Sequence, residues 1–239
     1  GLVKNNIIDG GTGGGIDLSH VVIKVNDSFV YIGSTGKGLS GGFTLPNGSI
    51  ADGSIERGVQ LGDLGTGPVI VDQPIGNGTY QPTTQTCPGG GNCLLGSAKI
   101  LAGAMYNGAV STVSGGDIQI NAPITAWAID IEAGSQVPGS TAAGSIALNH
   151  AALQSNGGPI TLASSNGDTV TNSPIDTGGG SLNLTNTTNG AITFDSASPI
   201  NLDNGVLSFS GIGASDAINS TISGTGGKLV KAGSGTLTL

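Results

Sequence analysis

Two carboxylates on one predicted strand are the residues of this chain best suited to acid–base chemistry. Asp130 and Glu132 are separated by one residue, so in a strand they project from the same face with about 7 Å between their Cα atoms. Paired carboxylates are the usual equipment for glycoside hydrolysis. We expect the neighbouring turns of the chain to supply no Lys, Arg or aromatic side chain that would bind a sugar. We therefore interpret the pair as a solvated acidic face and predict that the chain is not an enzyme.

The two cysteines form the second candidate. Cys87 and Cys93 enclose five residues, Pro-Gly-Gly-Gly-Asn, and such a flexible segment easily brings two Cα atoms within disulfide range. Free thiols are the alternative interpretation, and a metal site would need two further ligands nearby. We predict a disulfide between Cys87 and Cys93 that holds the shape of a protruding loop, which could also contact a receptor.

Nucleophilic catalysis has weak support in this sequence. The segment 38–42 (Gly-Leu-Ser-Gly-Gly) invites comparison with a nucleophile elbow, but its spacing is wrong and no helix is predicted after it. His20 and His150 have no evident acid or nucleophile partner along the chain. We predict no catalytic residue among them.

Metal and ice binding are also disfavoured. Residues 9–17 (DGGTGGGID) resemble a calcium-binding nonapeptide, yet Gly15 stands where that motif needs Asp, and the motif does not recur. Ice-binding β-helices need Thr-x-Thr in every coil, whereas 169–171 and 236–238 are isolated examples. We predict neither a metal ion nor a cofactor.

The elements that must position these residues repeat along the chain. Gly pairs at 115–116, 157–158 and 179–180 precede short apolar-x-apolar segments. The spacings between these pairs are close to two periods and one period of about 21 residues, and periods of 20–50 residues indicate repeat architectures. A second recurring element places Pro before Ile, in Ala122-Pro123-Ile124, Ser173-Pro174-Ile175 and Ser198-Pro199-Ile200.

This pattern predicts an all-β fold, a parallel β-helix. Apolar and small polar residues alternate with the period of a half-buried strand, and turn-forming residues separate the segments. At about 21 residues per coil, the 239 residues make about eleven coils. We predict one β-helical unit over 1–239, with a disulfide-bearing loop excursion over 72–96.

Composition and charge exclude several other classes. Glycine contributes 45 of 239 residues, only 9% are charged and 3% are aromatic, which is unlike helical or ordinary disordered chains. Between Lys99 and Lys228 there is no Lys or Arg although acids are frequent. A net charge of −8 argues against nucleic-acid binding, which depends on bases that neutralise phosphates. No run approaches the ~20 apolar residues of a membrane span.

A family resemblance lies near the end of the chain. Residues 224–239 resemble the opening of the passenger-associated repeat of bacterial autotransporters. The matching positions are Gly226, Leu229, Lys231, Gly233, Gly235, Thr236, Leu237 and Leu239. The coils from about 115 to 205, for example residues 115–124, are similar to those of filamentous-haemagglutinin-like exoproteins. Both are type V secreted proteins, and the resemblance implies a right-handed parallel β-helix, export through an outer-membrane translocator and no catalytic residue here.

These inferences combine into one functional expectation. We expect a mature or excised piece of a larger exoprotein, secreted or at the surface of a Gram-negative bacterium, that serves as a structural or adhesive stalk. A host-cell or glycan ligand and end-to-end self-association are the expected partners. The alternatives are a β-helical carbohydrate-active enzyme that uses Asp130 and Glu132, and a self-assembling filament or surface-layer subunit.

Overall fold

The computed structural model describes eleven ranges of the chain: 6–9, 16–17, 29–34, 43–44, 58–63, 68–72, 74–76, 95–103, 116–134, 143–213 and 215–239. Every regular element within these ranges is a β-strand. Among the described residues there is no helix long and apolar enough to cross a membrane. The all-β fold predicted from the sequence is therefore confirmed.

The strands form three ladders, in which every pairing is parallel and joins equivalent strands of neighbouring coils. Ladder A contains β1 (Asn6–Asp9), β3 (Phe29–Ser34), β5 (Gly58–Asp63), β7 (Leu95–Ala102), β9 (Ile124–Ala133), β12 (Ile160–Ser164), β15 (Leu182–Asn186), β18 (Val206–Gly211) and β21 (Lys228–Ala232). Ladder B contains β2 (Ile16–Asp17), β4 (Phe43–Thr44), β6 (Val69–Val71), β8 (Ile118–Ile120), β10 (Ile146–Asn149), β13 (Asp168–Thr171), β16 (Ile192–Phe194), β19 (Asp216–Ile218) and β22 (Leu237–Thr238). Ladder C contains the start of β9, then β11 (Leu153–Gln154), β14 (Ile175–Asp176), β17 (Ile200–Asn201) and β20 (Ile222–Ser223).

The chain visits these ladders in the order B, C, A in each regular coil, which makes it a β-solenoid. Successive neighbours in ladder B are Ala147, Thr169, Thr193, Ala217 and Thr238, so residues 143–239 complete four turns. The turn from Ala217 to Thr238 contains the fewest residues of these four, and the turn from Asn183 to Ser208 in ladder A contains more. The predicted repeat length matches the shortest turns, and the other turns contain a few additional residues.

Earlier coils are longer than the sequence pattern predicts. Val69 pairs with Ile118, and Ile75 bridges Ile124, in each case across more than twice the predicted repeat length. Among the described residues ladder B consequently contains nine strands, fewer than the eleven coils we predicted. Ile75 and Leu95 belong to the ladders, so the predicted excursion over 72–96 is narrower than expected, and its central part, 77–94, lies outside the described residues.

The core consists of columns of inward side chains, one residue from each coil. One column of ladder A contains Ile100, Ile131, Leu162, Leu184 and Phe209, all fully buried. Each such side chain contributes about 1.5–3 kcal/mol through burial. The alternation of apolar and polar residues in the sequence is what directs these side chains inward, because successive residues of a strand face opposite sides.

The recurrent Pro-Ile element forms the corner between ladders B and C. The carbonyl oxygens of Pro123, Pro174 and Pro199 accept hydrogen bonds of 2.9–3.0 Å from the N–H groups of the preceding coil, namely those of Ile75, Leu153 and Ile175. Proline has no N–H to donate, but at this exposed position its carbonyl oxygen still accepts a hydrogen bond of the ladder. The motif is therefore a structural device that starts ladder C.

The Gly pairs at 157–158 and 179–180 form the corner between ladders C and A, whereas Gly116 precedes β8 of ladder B. A Cβ atom on Gly180 would overlap with the carbonyl oxygen of Gly158, and one on Gly205 would overlap with that of Gly180. Gly157 and Gly179 have φ values of +96° and +94°, a region that side-chain-bearing residues rarely adopt. In each of these pairs the first glycine is favoured by its positive φ, and the second by the close approach of neighbouring backbone.

Candidate functional site: a charged cluster on ladder A

The outer face of ladder A brings three charged residues together. Lys99 of β7 is the pairing neighbour of Asp130 in β9, and Glu132 lies two residues further along β9. On the other side, Asp130 neighbours Thr161 of β12. We refer to Lys99, Asp130 and Glu132 as the charged cluster.

The central interaction of the cluster is an ion pair. Lys99 Nζ lies 3.0 Å from Asp130 Oδ2, with 38% of the Lys99 and 30% of the Asp130 side chain exposed. Burial lowers the pKa of Lys99, but the hydrogen bond and charge of Asp130, with the charge of Glu132, outweigh it, so the pKa is raised. Solvent screens a pair this exposed, and such pairs contribute at most about 1 kcal/mol to stability.

The surroundings of Glu132 raise its pKa above the usual value. Burial is the main cause that raises the pKa of Glu132, and the negative charge of Asp130 acts in the same direction. The charge of Lys99 opposes this rise, whereas a hydrogen bond with Asp130 adds to it. The cluster therefore combines an ion-paired carboxylate with a neighbouring carboxyl group that retains its proton more readily.

One sequence-based expectation about this site was wrong. We expected no Lys, Arg or aromatic side chain beside Asp130 and Glu132, but Lys99 of the preceding coil pairs with Asp130. Trp127 precedes them in β9, and a Cβ added to Gly158 would lie only 2.9 Å from its indole Cδ2, so the ring packs over the next corner. The predicted period could not reveal Lys99 as a neighbour, because this coil is longer than the predicted repeat.

The geometry of the cluster limits its chemistry. Two neighbouring carboxyl groups in different environments can divide the roles of acid and base. Glycoside hydrolysis, however, needs carboxyl groups about 5 Å or more apart, with the sugar between them. Because Asp130 is held in an ion pair with Lys99 at 3.0 Å, the cluster gives better support to polar binding than to hydrolysis.

His150 has an acidic neighbour that the sequence did not reveal. Hydrogen bonds from the Ser198 hydroxyl, at 2.5 Å, and from the N–H groups of Asn172 and Ala197 lower the pKa of Asp195, and His150 contributes its charge as the smallest cause. His150 has a φ of +57° and is exposed at the corner between ladders B and C.

This corner does not have the geometry of a catalytic triad. Ser198 is fully buried, its hydroxyl donates to Asp195, and its oxygen accepts the Ser173 N–H at 3.0 Å. A nucleophilic serine would instead be accessible and hydrogen-bonded to the histidine. The arrangement is a hydrogen-bonded cap that connects successive coils.

Several other predicted residues fall outside the described part of the chain. These are Cys87, Cys93, His20, the segment 38–42 and residues 10–15 of the glycine-rich segment, so the disulfide stays a prediction. Within the described ranges, no group of three or more His, Cys, Asp or Glu side chains could hold a metal ion. In ladder B, Thr169 neighbours Thr193, but Ala147 and Ala217 flank this pair, so the threonines do not form the continuous array of an ice-binding surface.

Comparison with known proteins identified no relative of this chain. No family model matches the chain, and no curated protein or solved structure matches it.

Proposed function

We propose that this chain is a structural and adhesive segment of a bacterial surface exoprotein, in which a β-solenoid acts as a polar stalk. The observation that carries the proposal is the continuity of the ladders through residues 143–239, where buried apolar columns run under an outer face of small polar residues. Such an architecture extends by local pairing between neighbouring coils. Its described coils present a continuous polar surface.

The outer face of ladder A is the surface best suited to adhesion. Its central column contains Asp130, Thr161, Asn183 and Ser208, each the pairing neighbour of the previous one. Their hydroxyl, amide and carboxylate groups recur at about 4.8 Å along the stalk. Repeated weak contacts of this kind gain affinity through multivalency, and glycans or host-cell surface proteins offer the complementary polar groups.

The resemblance to type V passengers supports a surface location. The residues that resemble a passenger-associated repeat form one coil, in which Lys228–Ala232 is β21 and Leu237–Thr238 is β22. Gly233 between them has a φ of +78°, which fits the glycine at that position of the repeat. We infer right-handed coils, export through an outer-membrane translocator and exposure on a Gram-negative cell.

The test of adhesion compares two faces of the same stalk. Beads coated with the full chain should bind host cells or a glycan array. A variant with Thr161→Ala, Asn183→Ala and Ser208→Ala should lose most of this binding. A control with Thr169→Ala and Thr193→Ala on ladder B should retain it. Absence of binding by the unaltered chain, or equal binding by both variants, would overturn the adhesive role and leave only the structural one.

A further inference from the structure

Two aspartates interrupt an otherwise apolar column inside ladder B. The first inward position of successive coils holds Val69, Ile118, Ile146 and then Asp168, which is followed by Ile192. Asp216 of β19 occupies the same position and pairs with Leu237. Only 1% of each aspartate is exposed, although ionisable residues are almost never fully buried unless paired.

The two buried carboxyl groups differ in their partners. Asp216 Oδ1 accepts the N–H of Ile192 at 2.9 Å. Neither oxygen of Asp168 has a well-formed hydrogen bond to any described residue. The nearest polar groups are already engaged: the Ile146 N–H donates to Gly167 O at 3.3 Å, and the Ser164 oxygen accepts the Gly167 N–H at 3.0 Å. Of these groups, the Ser164 hydroxyl proton is the donor left for Asp168.

The described surroundings of Asp168 contain no positive charge to compensate ionisation. The strands that pair with β13, namely β10 and β16, have no titratable side chain in their sequences, and neither does β12, which carries Ser164. Asp216 of β19 is the ionisable group facing it, and its charge is of the same sign. The stretch from Lys99 to Lys228 lacks Lys and Arg throughout. A negative charge at Asp168 is therefore strongly disfavoured.

We propose that Asp168 is a proton-binding switch in the core of the solenoid, which makes its C-terminal turns more stable in mildly acidic surroundings than in neutral or alkaline ones. The proposal is independent of the adhesive role. It follows from the column position, the burial and the missing partners of this carboxyl group.

The electrostatics give the direction and the range of the switch. Burial raises the pKa of Asp168 from 3.8 to about 7, against the smaller opposing effects of Ser164 and the Ile146 N–H. Because the folded state binds this proton more tightly than the unfolded state, the protein is most stable at pH values below the pKa of Asp168 in the unfolded chain. As the pH rises from about 4 to about 7, the pKa in the folded chain, the folded-to-unfolded ratio falls roughly tenfold per pH unit.

The decisive experiment measures urea unfolding of the full chain from pH 4 to 8.5. We expect the unaltered chain to lose stability across this range. Asp168→Asn cannot ionise, so its unfolding free energy should fall less steeply with pH, by the contribution of about one proton, and it should be the more stable form at pH 8. Asp203→Asn, at an exposed turn, is the matched control and should keep the full slope. Glu132 also lowers stability as the pH rises. Because both the unaltered chain and Asp168→Asn contain Glu132, its contribution cancels when their slopes are compared. Equal slopes for Asp168→Asn and the unaltered chain would overturn the proposal.

A spectroscopic readout tests the same proton without an unfolding measurement and with a second variant. Infrared difference spectra of the unaltered chain between pH 5.5 and 8.5 should show loss of a protonated-carboxyl band, and this band should be absent from Asp168→Ile, which restores the apolar column. A band of unchanged intensity in Asp168→Ile would assign the proton to another group and overturn the proposal.

Discussion

Acidic residues occur in two contrasting regions of this molecule, the outer face of ladder A and the inner column of ladder B. On the outer face, Asp130 has Lys99 at 3.0 Å and remains partly solvated. In the inner column, Asp168 has neither a base nor a well-formed hydrogen bond among the described residues. Both regions raise the pKa of a carboxyl group, Glu132 outside and Asp168 inside, but the inner one does so without a compensating positive charge from the described strands around it.

The comparison shows that the solenoid tolerates charge by position rather than by residue type. The outer face can stack an acid, a base and polar residues because water screens them. The inner columns accept a carboxyl group chiefly as its neutral acid, since desolvation penalises the ion. The same side chain therefore serves as a surface group in one ladder and as a pH-dependent core group in the other.

The largest effect is expected when a new carboxylate is introduced at one of two adjacent residues, one facing inward and the other outward. Ile192→Asp would place a third acid between Asp168 and Asp216, and we expect a loss of at least about 4 kcal/mol in unfolding free energy at pH 7, from lost burial and an unpaired charge. Thr193→Asp, the next residue on the outer face, should change it by no more than about 0.5 kcal/mol. Urea unfolding followed by circular dichroism measures both, and similar losses would refute the distinction between inside and outside.

A second variant tests the close stacking that creates both environments. A methyl group on Gly180 would overlap with the Gly158 carbonyl oxygen, so Gly180→Ala should separate the coils locally and cost about 2–3 kcal/mol. The adjacent Ser181→Ala, at a half-exposed position, should lower stability by only a small fraction of this amount. If thermal unfolding shows the two variants to be equally stable, the corner is looser than the structure indicates.

A smaller effect is expected when the outer face loses its base. Lys99→Met leaves Asp130 and Glu132 as neighbouring acids without a counter-charge. We expect a loss of at most about 1 kcal/mol at pH 7, because solvent screens this pair. The loss should shrink in high salt, whereas Lys228→Met, outside the cluster, should show no such salt dependence. A salt-independent loss would assign the role of Lys99 to packing of its aliphatic stem.

The smallest effect concerns Glu132. Because its pKa is raised above the usual 4.5, ionisation costs stability, and this cost appears as pH rises from that value. Glu132→Gln should therefore be slightly more stable than the unaltered chain at pH 7, by a few tenths of a kcal/mol after screening, and equal to it at pH 4. Loss of stability at pH 7 would show that the Glu132 charge contributes favourably to the cluster.

Glu132→Gln and Asp130→Asn also test the enzymatic alternative. We expect neither to change any turnover of acidic polysaccharides, because the unaltered chain should show none. Measurable turnover that Asp130→Asn abolishes would restore the carbohydrate-active enzyme as the leading function.

The architecture was largely predictable from short-range patterns. Segments such as 160–162 and 182–184 alternate apolar and polar residues, and Gly pairs precede them. Strands, turns and stacking follow from these features because each depends on a few neighbouring residues. The inward position of Asp168 could also have been predicted from the sequence. Asp168 lies two residues before the apolar Val170, and residues two positions apart in a strand face the same side of the sheet.

The tertiary structure alone decided which coils are neighbours and what each acid contacts. The pairing step from Val69 to Ile118 is more than twice as long as the step from Asp216 to Leu237, so no constant period could bring Lys99 to Asp130. Residue order and alternation determined that the chain would coil and which faces would be apolar, because those preferences are local. Register, and with it the ion pair outside and the unpartnered carboxyl group inside, depends on the lengths of the connections between ladders, which become apparent only once the coils are stacked.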